Sequence, residues 1–293
     1  MTKSVHVLAA LGVVLAYASV GGQAPPAPTA ASSPGFDLSG YWTAAMHEDA
    51  LERGAGPELG DYGGFPINEA ARLFALSYDA SRVTLRHHQC DGYVAPYSVR
   101  SIGNARAWEE RDPHTQRLIA IHWYNQTFEG HRTIWMDGRP HPPEYAPHTW
   151  QGFSTGKWDG DMLTVTTTHL KIGWIRRNGI PRSDKAVLTE HWIRHGDTLT
   201  LVSIINDPAY LTEPFIRTTN WVEDPRQAIA PYPCEAVTEI PRPLGVVPHH
   251  LPGTNTFLSE FPKKYGVPPE AARGGAETMY PEYRLKIAAG QKQ

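Results

Sequence analysis

The sequence predicts an all-β protein, an antiparallel meander that closes into a barrel with one short N-terminal helix and an ordered C-terminal wrap. Three observations carry this. Glycine and proline, 26 of each, are spread through the whole chain and cut it into short pieces, as turns do in sandwiches and barrels. The β-prone runs follow one another with short local turns and no strand–helix alternation. Both faces of the clearest hairpin are substantially apolar, where a sheet wetted on one side would alternate more cleanly.

Strands are expected at Arg117 to Tyr124, His131 to Met136, Phe153 to Trp158, Met162 to His169, Val187 to His195, Thr198 to Asn206 and Phe215 to Val222. Asp159-Gly160 sits between two of them, and an Asp-Gly pair between β-prone runs is a strong hairpin signal. A two-residue turn at Gly196-Asp197 pairs His195 with Thr198, which sets Glu190 opposite Ser203, Trp192 opposite Leu201 and Leu188 opposite Ile205. One face then holds Leu188, Trp192, Leu199, Leu201 and Ile205, with Glu190 and Arg194 among them. Either a second layer covers this sheet or a barrel closes around a partly polar lumen. The helical segment is Asn68 to Tyr78, capped by Asn68, with Ala71, Phe74, Ala75 and Tyr78 on one side.

Four stretches divide the chain. Residues 1–24 read as a signal peptide: Lys3 is followed by an apolar run too short to span a bilayer, then by small residues that fit a cleavage site. Residues 25–35 (PPAPTAASSPG from Pro25) form a Pro/Ala/Ser linker. Residues 36–235 make the barrel. Residues 236–293 form a C-terminal extension, rich enough in aromatic and apolar side chains to pack on the barrel or close one end of it. This organisation implies a periplasmic or secreted protein with no stable membrane insertion after cleavage. In that setting the cysteine pair, Cys90 and Cys234, favours a disulfide over two free buried thiols. A formal net charge of -3 shows no basic field, which argues against a nucleic-acid partner.

The stretch IWMDGRPHPPEYAPHTWQGFSTGKWDGDMLTVTTTH, from Ile134, resembles a large family of exported bacterial proteins of unknown function. The shared pattern is a DGR-x-HP turn followed by W-x-G-x-S-x-G-x-W-x-GD-x-L-x-V-x-T. It continues at Ser183, Glu190, Arg194 and the Asp207-Pro208…Tyr210…Pro214 segment. The resemblance spans roughly residues 36–235 and implies a calycin- or lipocalin-like barrel by analogy; it implies no chemistry.

Histidine is conspicuous, with 14 in the chain. His131, His141, His148 and His169 lie in or beside this stretch, yet no HExxH or facial-triad spacing accompanies them, and no metal is expected. Asp137 to Pro142 (DGRPHP) is a turn with Arg139 on Asp137, or it sets Arg139 and His141 at the mouth of a barrel. Gly152, Ser154 and Gly156 are small residues on one strand face, so something bulky lies against them: a ligand or, the simpler reading, a neighbouring aromatic ring. His169, Glu190 and Arg176 have the chemistry of an acid–base site, with Glu190 and Arg194 also readable as a structural ion pair. His148, Trp150, Ser154, Arg194 and Tyr210 join Arg139 and His141 as candidate ligand contacts. No G-x-S-x-G elbow, catalytic-cysteine signature or dinucleotide fingerprint occurs, so no cofactor is expected. The expectation is a barrel that handles a hydrophobic or aromatic small molecule. It is either a cofactor-independent acid–base enzyme (lyase, isomerase or hydrolase) or a non-catalytic carrier.

Overall fold

A computed structural model describes residues 35–45, 57–86, 88–90 and 103–290. The signal segment, and the linker short of Gly35, lie outside the described residues.

Nine strands close a barrel. In chain order they are β1 (Gly40–Ala44), β2 (Asn104–Arg111), β3 (Leu118–Asn125), β4 (Gly130–Trp135), β5 (Phe153–Asp159), β6 (Met162–Thr168), β9 (Val187–His195), β10 (Thr198–Asn206) and β11 (Phe215–Glu223). A small separate hairpin, β7 (Gly173–Arg176) and β8 (Ile180–Arg182), lies between β6 and β9 in sequence. Around the barrel the order is β1-β11-β10-β9-β6-β5-β4-β3-β2, closed by β1 on β2.

The hairpin at Gly196-Asp197 has the expected register: His195 pairs with Thr198, Glu190 with Ser203, Trp192 with Leu201 and Leu188 with Ile205. The other hairpin turns one residue later than expected, at Gly160-Asp161, because Asp159 pairs with Met162. Gly160 and Gly196 both take left-handed backbone, the conformation that a two-residue turn between right-twisted strands requires.

The meander is interrupted at one place. β4 and β5 run parallel, with Ile134 beside Ser154 and Trp135 beside Thr155. A tight turn cannot join parallel neighbours, so the intervening residues 136–152 cross back over the outside of the barrel. Prolines 140, 142, 143 and 147 keep that crossover extended and out of the sheet.

Inside, side chains alternate with the strand period into two apolar plugs separated by a polar belt. Along β9 the inward residues run Leu188, Glu190, Trp192; along β10, Ile205, Ser203, Leu201; along β6, Thr167, Val165, Leu163. One plug is built on Trp42, Trp123, Trp192 and Trp221, with the Trp123 ring edge-on to Trp192 and Trp221 at 5.1 Å each. The other joins Leu188 and Ile205 to Phe65, Ile175, Ile180 and the helix α1 (Glu69–Ser77). Asn68 caps α1 with its side chain, as expected, and Ala71 and Ala75 are its buried residues.

The C-terminal extension is more helical than its proline content suggests, with α2 (Glu260–Tyr265), α3 (Pro269–Ala272) and α4 (Pro281–Gly290). It holds the α1 end of the barrel. The Asn255 side chain donates to the carbonyls of Leu76 and Tyr78, where α1 ends, and the Tyr62 amide donates to Ala272. Cys90 and Cys234 form a disulfide that ties the segment after α1 to the chain beyond β11. The described residues from Gly35 onward belong to one compact unit. Among the described residues no helix is long and apolar enough to cross a membrane.

Candidate functional site

The polar belt places Glu190 at the centre of the lumen, fully buried, but with different partners from those expected. Its carboxylate pairs with Arg132, which reaches across from β4. The Arg132 Nε donates to Ser154 at 3.0 Å and its Nη2 to Thr167 at 2.6 Å, and the two hydroxyls meet at 2.8 Å. The small side chain of Ser154 therefore makes room for an arginine, and Gly156 makes room for Ile134, Met136 and Leu163 rather than for an aromatic ring. Arg132 Nη1, Glu190 Oε1 and the indole N–H groups of Trp123 and Trp192 have no hydrogen-bond partner among the described residues. Removing either partner would leave a lone buried charge, so the pair is costly to break. Among the described residues it ties β4 to β5, β6 and β9 across the lumen.

Arg176 of the expected catalytic set, and Arg194, expected as a ligand contact or as the ion-pair partner of Glu190, lie elsewhere. Arg176 stacks on Phe65, 3.9 Å from the ring, and faces Asp61 at 3.9 Å; burial lowers its pKa to about 10. Arg194 is bound to Glu223, to the Asp37 carbonyl and to the Trp42 face near the tryptophan plug, so the Glu190–Arg194 ion pair does not form. Both arginines are distributed by strand pairings that no local spacing reports. Tyr210 packs against the α1 plug, with its ring near Phe74. In the continuation of the motif, Asp207 accepts from the Ser183 amide and hydroxyl, which fixes the entry to β9.

His141, His148 and His169 do come together, on the outside, where they pin the crossover. His169 Nε2 meets the Pro143 carbonyl at 3.0 Å; a carbonyl only accepts, so that nitrogen carries hydrogen. In the neutral chain, Thr168 then donates to His169 Nδ1, His141 Nδ1 donates to Thr168, and Thr155 donates to His141 Nε2. His148 reaches the Leu170 carbonyl at 2.9 Å, and Thr149 exchanges backbone bonds with His169 and Lys171. Burial, then the nearby His169, lowers the pKa of His141. Arg139 salt-bridges Asp137 as the turn reading expects, and its guanidinium lies 3.5 Å from the Trp135 ring centre.

Pinned in this way, the crossover forms one wall of an open depression of about 320 Å³. Thr149, Trp150, Gln151, Gly152 and Phe153 line it on that side, and the outward side chains of β4, His131, Thr133 and Trp135, line it on the other. Of the candidate catalytic and ligand-contact residues, only Trp150 lines it.

Behind His131 runs a chain of acid–base groups. Glu110 Oε2 lies 2.9 Å from His122 Nε2, and His122 Nδ1 lies 3.0 Å from His131 Nε2. The carboxylate accepts from His122 Nε2–H, so in the neutral chain His122 Nδ1 accepts from His131 Nε2–H and His131 Nδ1 is left bare. Both imidazoles stack on Trp108, at 5.0 and 5.3 Å, which fixes their orientation. Burial, and secondarily the charge of His122, lowers the pKa of His131. Sequence reasoning missed Glu110, His122, Trp108 and Arg132. The available signal was strand parity: on β4, inward Ile134 puts Arg132 inward and His131 outward. Among the described residues no group of three His, Cys, Asp or Glu side chains has the arrangement of a metal site.

No family model, no curated protein and no solved structure matches the chain.

Proposed function

We propose that the protein binds a small molecule in the outer depression and exchanges a proton with it through His131. The carrying observation is the Glu110–His122–His131 chain, which ends in an aromatic-walled depression. A base oriented by a second group, itself oriented by a carboxylate, is the arrangement that general acid–base catalysis needs. The lowered pKa of His131 leaves the ring neutral, and so free to accept a proton, into more acidic solution than an ordinary histidine. When His131 takes a proton at Nδ1, His122 and Glu110 share the positive charge. The aromatic walls supply the apolar contact area typical of small-molecule sites.

The reaction class this supports is proton abstraction next to a carbonyl, as in an isomerase or lyase, without a cofactor. The site is reached from outside the barrel, not through its lumen. An exported, periplasmic or secreted setting is part of the same reading, supported by the Cys90–Cys234 disulfide. The test is deuterium wash-in from D2O at the acidic C–H positions of a panel of small aromatic carbonyl compounds, read by NMR. Exchange with the parent protein that disappears in His131→Ala supports proton transfer. Binding without exchange in the parent leaves a carrier.

A further inference from the structure

The depression also indicates which kind of molecule it takes. We infer that its ligand is an aromatic carboxylic acid, with the ring held between Trp135, Trp150 and Phe153 and the carboxylate on Lys171. This rests on the reading of the depression as the functional site, and it adds the charge of the ligand and the residue that selects it.

Three observations carry it. Among the described residues, the side chains lining the depression include three aromatic rings and no carboxylate. The wall favours a flat apolar ring and presents no negative charge to repel an anion. The two cations seated on its tryptophans are not equivalent. Arg139 lies on Trp135, but its charge is already bound by Asp137. Lys171 Nζ lies 4.6 Å from the Trp150 ring centre, and no ion pair to it exists among the described residues. Lys171 is solvent-exposed, and its backbone is fixed by Thr149 and Arg182, so its side chain springs from an anchored point next to the crossover. An exposed lysine alone would be an ordinary surface group. Here its ammonium lies over one face of an indole that lines the depression, which places the charge directly beside the aromatic wall. His131 faces the same space, so an acid bound this way would present the rest of its skeleton to the base.

The test compares 4-hydroxycinnamate with 4-hydroxycinnamyl alcohol, which keeps the ring and loses the charge. Both are titrated by tryptophan fluorescence and calorimetry against the parent protein, Lys171→Met and Trp150→Ala. The expected result is about fivefold tighter binding of the acid, the scale of one exposed ion pair. That preference should vanish in Lys171→Met and shrink with added salt, and both compounds should weaken in Trp150→Ala. Equal binding of acid and alcohol, both lost in Trp150→Ala, overturns the carboxylate assignment and leaves the depression as the site. Binding of a disaccharide such as cellobiose in place of both overturns the aromatic ligand. No binding of either compound overturns the inference, and the D2O exchange panel then decides separately whether the depression reading stands.

Discussion

Arg132 and His131 are neighbours in sequence and point to opposite sides of the same barrel wall. Each is tied to a glutamate, Glu190 for one and Glu110, by way of His122, for the other. The inner pair has side chains 2% and 0% exposed, whereas Glu110 outside is 47% exposed. The inner groups are closed off from solvent, and their contacts bridge strands that lie far apart in sequence. The outer groups keep one end in solvent and the other at a depression, so their protonation can change without unfolding the barrel. On the proposed reading, similar chemistry serves as scaffold or as reagent according to which way a strand turns its side chains.

Four variants and one pH series put that contrast to the test. Glu190→Gln leaves Arg132 buried without a countercharge, so a loss of about 3–5 kcal/mol is expected, which is on the order of 10 °C in Tm for a domain of this size. The double replacement Arg132→Met with Glu190→Leu should recover most of that loss; if Glu190→Gln alone is as stable as the parent, the inner pair is not a scaffold. His131→Ala should show the opposite profile. Stability is expected to change by less than about 1 kcal/mol, while D2O exchange falls by about 10²–10⁴-fold. A large Tm loss without loss of exchange would merge the two regions. Glu110→Gln should lower the exchange rate roughly tenfold and move its acid limb to lower pH, because His131 then loses the carboxylate that supports its protonated form. An unmoved limb would make Glu110 a bystander.

The smallest effect is on stability against pH. The fold lowers the pKa values of His131 and His141 below the usual 6.5, so below that pH the unfolded chain binds protons more readily than the folded one. Stability should therefore fall modestly as pH drops from about 6.5 through the folded values and then level off, the effect kept small because solvent screens both partly exposed rings. Denaturant titrations at pH 7.5, 6 and 5 would show it, and a flat profile would mean that neither ring is held neutral by the fold.

The barrel is legible in the sequence because its signals are local. The alternation of Leu188, Glu190 and Trp192 against Leu201, Ser203 and Ile205, with a two-residue turn between them, is enough to set the register of one hairpin. The partner of Glu190 was not legible, because Arg132 is 58 residues away and nothing local says that β4 faces β9 across the lumen. The histidines of the crossover were visible as a group, and they do assemble, but as fasteners for the loop. The acid–base chain depends on His122 and His131 sharing an outer face with Glu110 on β2. That takes two strand pairings and the correct parity of each, information that spacing within a motif does not contain.

Strand directions around a closed ring behave like two colours of bead on a loop of string: an even number can alternate throughout, but an odd number must somewhere place two of the same colour side by side. This barrel has nine strands, and the repeated direction falls between β4 and β5. The chain must travel back outside the ring at that seam, and the returning segment brings Thr149, Trp150 and Gln151 beside His131. The depression is thus a by-product of arithmetic. A tenth strand, or the loss of one, would let the colours alternate and would leave His131 on an open wall with nothing opposite it.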